Sequence, residues 1–177
     1  MDAALRLAAE ARDADEVPIG AVVVNWRVAA SVAGTRLRWD TAIVGAGRNA
    51  VVSSRRVTAH AEMEALGAAA AAEGTQYCTD ARLYVTLEPC VMCYGAALAY
   101  RIAALVYAAP SPKFGALSVC ALHAPPTQLT HSLEVHRAPP TQVAAAADLM
   151  RSYFTGKRAR NAERKAEAAG KEASSHT

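Results

Sequence analysis

"ARLYVTLEPCVMCYGAALAYRIAALVYAA", residues 81–109, is the stretch from which the fold is read. "ARLYVTL" (81–87) predicts a strand, "CVMCYGAALAYR" (90–101) a helix and "ALVYAA" (104–109) a second strand. The helix opens behind Pro89, a residue suited to a helix entrance. Its first turn carries Cys90 and Cys93, and the i, i+3 spacing puts both on one face. Four readings compete for such a pair: a redox couple, part of a disulfide framework, part of a metal site, or two small apolar residues. A helix amino terminus favours thiolates over thiols, which suits both redox and metal chemistry. The pair alone leaves those two open.

Outward from this unit the pattern repeats. Residues 2–14 read as an amphipathic helix offering Leu5, Leu7, Ala8 and Ala11 to a core. "PIGAVVV" (18–24) is a buried strand, and "TAIVGAG" (41–47) is a second strand that pairs with it. "HAEMEALGAAAAAE" (60–73) is helical and stops at Gly74. "SLEVHR" (132–137) predicts a last strand and "TQVAAAADLMRSYF" (141–154) a final helix. Strands alternating with helices after an initial hairpin predict an α/β fold. The expected architecture is a three-layer α/β/α sandwich around a mixed sheet of about five strands. The expected domains are a body at 1–154 and a basic tail at 155–177.

Composition narrows the class. At 177 residues and 53% hydrophobic, the chain suits one domain with a real core. No apolar run is long enough to span a membrane. The start, "MDAALRLAAEARDADE", has no basic head followed by an apolar stretch, which argues against a secretory signal. Four cysteines without such a signal imply reduced thiols, so cytoplasm or nucleus is the expected compartment. The excess positive charge is concentrated in residues 151–177, where seven Lys/Arg face three Glu. That asymmetry suggests a polyanion-binding tail.

The second chemical element lies upstream. "TAHAE" (58–62) contains His60 and Glu62, with 26 residues between Glu62 and Pro89. One histidine and two cysteines make three ligands, whereas a structural zinc site normally has four. Three leave a place for water, the arrangement of a catalytic zinc. Glu62, close behind His60, is placed to shuttle a proton. His60 and Glu62 together with the cysteines make the metal reading the stronger one.

The arrangement H-x-E…P-C-x-x-C resembles that of the zinc-dependent deaminases. "EVPIGAVVV", "GAGRNA", "TAHAEMEAL", "LYVTLEPCVMC" and "LVYAAPSPKFGA" extend the resemblance over most of the chain, in particular to the tRNA adenosine deaminases. "PKFGA" and the basic "KRARNAERK" look like the catalytic subunit of a eukaryotic heterodimer more than a bacterial homodimer. The resemblance implies a cytidine-deaminase type of sandwich and hydrolytic conversion of the wobble adenosine of a tRNA anticodon to inosine. It implies one Zn2+ per chain held by His60, Cys90 and Cys93, with Glu62 carrying protons to ring N1 and then to the leaving amine. Asn49 would hydrogen-bond the base, and Ala61 with Val17, Pro18 and Ile19 would line the pocket. Lys157, Arg158, Arg160, Arg164 and Lys165 would hold the RNA backbone. The implied partners are tRNA and a pseudo-catalytic deaminase-like subunit, with a homodimer as the second choice.

Two stretches depart from the family pattern. The insertion from Trp26 to Asp40 carries Arg27, Arg36, Arg38 and two tryptophans able to stack on or clamp RNA, or to serve as a surface loop or partner contact. The segment 117–130 also fits poorly. "GAGRNA" (45–50) satisfies G-x-G-x-x-A, but the expected helix and crossover to a parallel strand do not follow. Cys78, Cys120, His123, His131, His136 and His176 have no partners by spacing and read as structural or surface residues. Two other functions stand beside the leading one: a deaminase of free guanine, cytosine or nucleosides, and an inactive deaminase-like scaffold. The retained Glu62 argues against the scaffold.

Overall fold

The computed structural model describes residues 1–32, 42–120 and 131–174. In chain order the elements are α1 (Asp2–Asp13), β1 (Gly20–Asn25), α2 (Trp26–Val32), β2 (Ile43–Arg48), α3 (Val51–Ser54) and α4 (Ala61–Glu73). They continue with β3 (Ala81–Leu87), α5 (Val91–Ala99), β4 (Ala104–Ala109), α6 (Ala116–Cys120), β5 (Glu134–Arg137) and α7 (Pro140–Ser174). The strands form one mixed sheet in the order β2-β1-β3-β4-β5. β1 is antiparallel to both β2 and β3, whereas β3, β4 and β5 run parallel. This is the expected α/β sandwich. α5 is the crossover between the parallel pair β3 and β4, so residues 81–109 form the strand–helix–strand unit read from the sequence.

The pleat sends alternate residues to opposite faces, and each face has its own helices. Ala21, Val23, Leu83 and Val85 pack with Ala61, Ala65, Leu66 and Ala69 of α4 and Ala97 of α5 in the main core. On the other face, Ala108 and Ala146 belong to a smaller cluster that Met1, Leu5 and Val143 pack against, under α1 and α7. Burial of each large aliphatic side chain stabilises the fold by roughly 1.5–3 kcal/mol. α1 presents Ala4, Ala8 and Ala11 as its fully buried stripe, while Leu5 and Leu7 lie half-buried at its margins.

Small residues set how closely the helices approach. A Cβ on Gly45 would run into Ala65 and Ala69, and one on Gly47 into Ala61 and Ala65, so α4 lies directly on the β2 backbone. This explains the G-x-G spacing of "GAGRNA" as helix–sheet packing. β2 turns back antiparallel to β1, as a dinucleotide-binding unit does not.

Boundaries differ in instructive ways. The final helix continues past Phe154 to Ser174, and the expected domain boundary at 154/155 falls inside it. Alanine, Arg, Lys and Glu are strong helix formers, so an apolar stripe is not needed to prolong a helix already anchored at one end. Part of the Trp26–Asp40 insertion forms α2, a helix absent from the sequence-based expectation. Arg36, Arg38 and Trp39, like His123, His176 and most of the 117–130 segment, lie outside the described residues. No helix of the described residues is long and apolar enough to cross a membrane.

Candidate metal centre and cavity

Two helix amino termini meet at the carboxyl end of β3. His60 is the N-cap of α4 and Cys90 the N-cap of α5, both in extended backbone, and Cys93 follows on the first turn of α5. The partial positive charge at such termini favours anionic ligands. Cys90 Sγ lies 3.7 Å and Cys93 Sγ 3.5 Å from His60 Nδ1. All three donor atoms fall within 4.8 Å of one another, the one His/Cys/Asp/Glu group of this kind among the described residues. A tetrahedral zinc with ordinary Zn–N and Zn–S bonds has an N···S edge of about 3.6 Å. The donor set therefore fits zinc in both chemistry and spacing.

The electrostatics of the group suit a cation as well. Without metal, a hydrogen bond from the Cys93 thiol brings the Cys90 thiol down to about 4, helped by His60. The Cys93 thiol, donating that bond and buried, is pushed up. Hydrogen bonding to Cys90 raises the His60 imidazole against the opposing effect of burial, with Glu62 adding to the rise. Both shifts favour a negative Cys90 beside a positive His60.

Glu62 sits in the first turn of α4, only 4% exposed. Its Oε2 is buried with no hydrogen-bond partner, an orphan that calls for a ligand group beside the three donors. Burial raises its carboxyl to about 7. It can therefore both hold and release a proton near neutral pH.

These groups lie at a cavity of about 730 Å³ whose lining includes His60, Glu62 and Cys90. Val17, Ile19 and Asn49 line it, whereas Pro18 and Ala61 are fully buried and do not. Asn49 Nδ2 donates to Glu16 Oε2 at 3.0 Å, and Glu16 also accepts from the backbone N–H groups of Val52 (3.2 Å) and Ser53 (2.7 Å). Burial alone would raise the Glu16 carboxyl, but these donors and the nearby Arg48 charge hold it below the usual carboxylate range. Glu16 thereby fixes the Asn49 amide. Glu16 stands in "EVPIG" beside residues given a role, yet nothing in one sequence distinguishes a buried clamp from a surface glutamate.

The opposite wall also escaped the sequence reading. It is formed by Pro110, Ser111, Pro112, Lys113 and Phe114, with Met150, Arg151 and Phe154 of α7 closing the cavity. The final helix is therefore part of the site as well as a carrier of charge. Beyond it, Arg160 pairs with Asp15 at 2.8 Å, and Lys157 donates to Tyr153 Oη at 2.9 Å. Arg158 donates to Thr155. Arg164 and Lys165 are exposed. Cys78 is buried, His131 bonds the Ile102 carbonyl, and His136 is exposed beside Glu134. None of these three joins the centre.

Comparison with known proteins agrees with this geometry. Residues 1–158 match the model of the MafB19-like deaminase family. Over 117 residues, 66% of its length, the chain is 49% identical to a tRNA(Ile)-lysidine synthase of Deinococcus radiodurans, of which it covers 18%. The chain thus spans about a fifth of the length of that relative. It is 34% identical over 154 residues to a tRNA-specific adenosine deaminase of Streptococcus pyogenes, covering 87% of this chain and 81% of the relative. Among solved structures, one from work on A-to-I editing by tRNA:A34 deaminases at the wobble position superposes with a TM-score of 0.69 and 35% identity. The match covers 84% of this chain and 96% of that one.

Proposed function

This chain belongs to the MafB19-like deaminase family, and from that membership we propose that it hydrolytically deaminates adenosine to inosine in the anticodon loop of tRNA, at the wobble position. The observation that carries the reading is the His60–Cys90–Cys93 group beside the unpartnered Glu62 oxygen at a cavity large enough for a flipped base. The resemblance to tRNA-specific adenosine deaminases supports the choice of base and of RNA.

Zinc held by His60, Cys90 and Cys93 would supply Lewis-acid activation of water near neutral pH. The remaining work falls to the chain's own residues. Glu62, poised near neutrality, accepts one proton of the attacking water and delivers it to ring N1. It then takes the second proton, from the hydroxyl added at C6, and passes it to the amine, which leaves as ammonia when the C6–N bond breaks. Asn49, held by Glu16, has its carbonyl oxygen and second amide hydrogen left to read the base edge. Val17 and Ile19 supply an apolar wall that keeps bulk water from the base.

RNA binding by α7 is supported by its run of Lys157, Arg158, Arg160, Arg164 and Lys165. Because Asp15 occupies Arg160, the phosphate contacts fall first to Arg158, Arg164 and Lys165. The likeness of "PKFGA" and the basic run to the catalytic half of a heterodimer supports a partner subunit, with a homodimer as the other assembly. Turnover by the purified chain alone separates the two.

The test uses the full zinc-loaded chain and an anticodon stem-loop with adenosine at the wobble position. Nucleoside analysis is expected to show inosine at that position, with free guanine, cytosine and adenosine turned over far more slowly. Replacing Arg158, Arg164 and Lys165 together by Ala should weaken stem-loop binding and lower its salt slope by about one unit per lost phosphate contact. Inosine absent from the RNA while a free base is turned over would sink the reading in favour of a small-molecule deaminase.

A further inference from the structure

We propose that Glu88 is a positioning residue for substrate, locking the Pro110–Phe114 wall of the cavity onto the turn that presents Cys90. The inference rests on the reading of that cavity as the substrate site. Glu88 is 3% exposed, lines the cavity between Leu87 and Cys90, and is not one of the three donor residues, and both its oxygens are engaged. Oε2 accepts from the Ser111 N–H at 2.8 Å and the Ser118 hydroxyl at 2.6 Å, and Oε1 from the Ser118 N–H at 2.7 Å. Of the two residues it ties, Ser111 belongs to the wall itself and Ser118 lies just beyond it in α6.

Backbone contacts reinforce the tie. Glu88 N–H donates to the Ala109 carbonyl at 2.8 Å, Ala116 N–H donates to the Pro89 carbonyl at 2.8 Å, and Cys90 forms an isolated bridge with Gly115. A Cβ on Gly115 would strike the Glu88 carboxylate, so the fit leaves room for glycine alone. Between the anchors the loop closes on itself as one turn, the Phe114 and Gly115 N–H groups donating to the Ser111 carbonyl at 3.3 and 2.7 Å, so that Glu88 places it as a unit. Pro110 and Pro112 have no N–H to give, and Phe114 is 74% exposed. The wall's place is thus set by the Glu88 carboxylate, which lines the same cavity.

Glutamine in place of Glu88 keeps the shape but must turn amide hydrogens towards an N–H or hydroxyl donor. That leaves a buried donor of Ser111 or Ser118 unpaired, while α5 still presents Cys90 and Cys93. The expected damage is to substrate placement more than to metal or chemistry.

The experiment compares the full zinc-loaded chain with Glu88→Gln and with the milder Ser118→Ala, which removes one of the three bonds. In Glu88→Gln, hydrogen exchange at the Ser111 and Ser118 amides should rise by about tenfold, with Leu66 and Leu83 amides unchanged. Zinc content should be unaltered. KM for the stem-loop should rise by about tenfold with kcat within about threefold, and Ser118→Ala should move KM in the same direction by less. Unchanged exchange and KM in Glu88→Gln, or zinc lost with kcat falling at constant KM, would overturn the proposal. Should Glu88→Gln not fold, unchanged exchange and KM in Ser118→Ala would overturn it equally. Absence of turnover by the unsubstituted chain defeats the deaminase reading alone, since exchange scores the clamp without activity.

Discussion

Glu62→Gln is expected to lower inosine formation by about 10³-fold while zinc content stays unchanged. The carboxyl is 4% exposed, its Oε2 has no partner, and the side chain is isosteric with glutamine, so the pocket's shape is kept. What is lost is the capacity to accept and return a proton. In the proposed reaction the same group serves water, ring nitrogen and leaving amine, so no other described side chain at the cavity would replace it at all three steps. Residual activity within a few-fold of the parent would remove Glu62 from the mechanism.

The same substitution has a second signature in metal-free protein. Burial raises the Glu62 carboxyl from 4.5 to about 7, so between those values the folded state binds more protons than the unfolded state. Stability from this group is therefore full below pH 4.5 and falls as pH rises to about 7. Chelated Glu62→Gln should match the parent at pH 4.5 and exceed it at pH 8 by roughly 3 kcal/mol at most. Chemical denaturation at the two values measures the difference. Equal stability at both would show that the carboxyl is not desolvated as the fold implies.

Cys93→Ala is expected to remove zinc and turnover together. Cys93 is fully buried on the first turn of α5, and its loss leaves only His60 and Cys90. Two ligands rarely hold zinc against dilution. Atomic absorption after gel filtration should find no zinc, and the parent chain treated with a strong chelator should lose activity and regain it with added zinc. Retention of zinc by Cys93→Ala would mean that the ligand set has been misassigned.

The sequence was legible where chemistry requires particular residue types. Two cysteines at i, i+3 behind a proline, with a histidine and a glutamate upstream, can do few things together, and the fold brings His60, Cys90 and Cys93 within 4.8 Å. The strand–helix–strand run at 81–109 was legible because its apolar content changes period at Pro89 and again near Arg101. What was hidden is polar and non-local. Glu16 reaches residues 33 to 37 positions away, and Glu88 residues 23 to 30 positions away. Neither stands out from surface glutamates until the fold buries it. The Pro110–Phe114 wall and the part of α7 that meets it were hidden for the same reason, since only the order of parallel strands brings them to one cavity.

The central claim is a three-ligand metal centre with one position left for water. X-ray absorption at the zinc edge of the purified full chain tests it most directly. The account predicts one zinc per chain, with two sulfurs at about 2.3 Å and two nitrogen or oxygen neighbours at about 2.0–2.1 Å, one of them imidazole. Zinc bound by three or four sulfurs, or a chain that takes up no zinc, would contradict it.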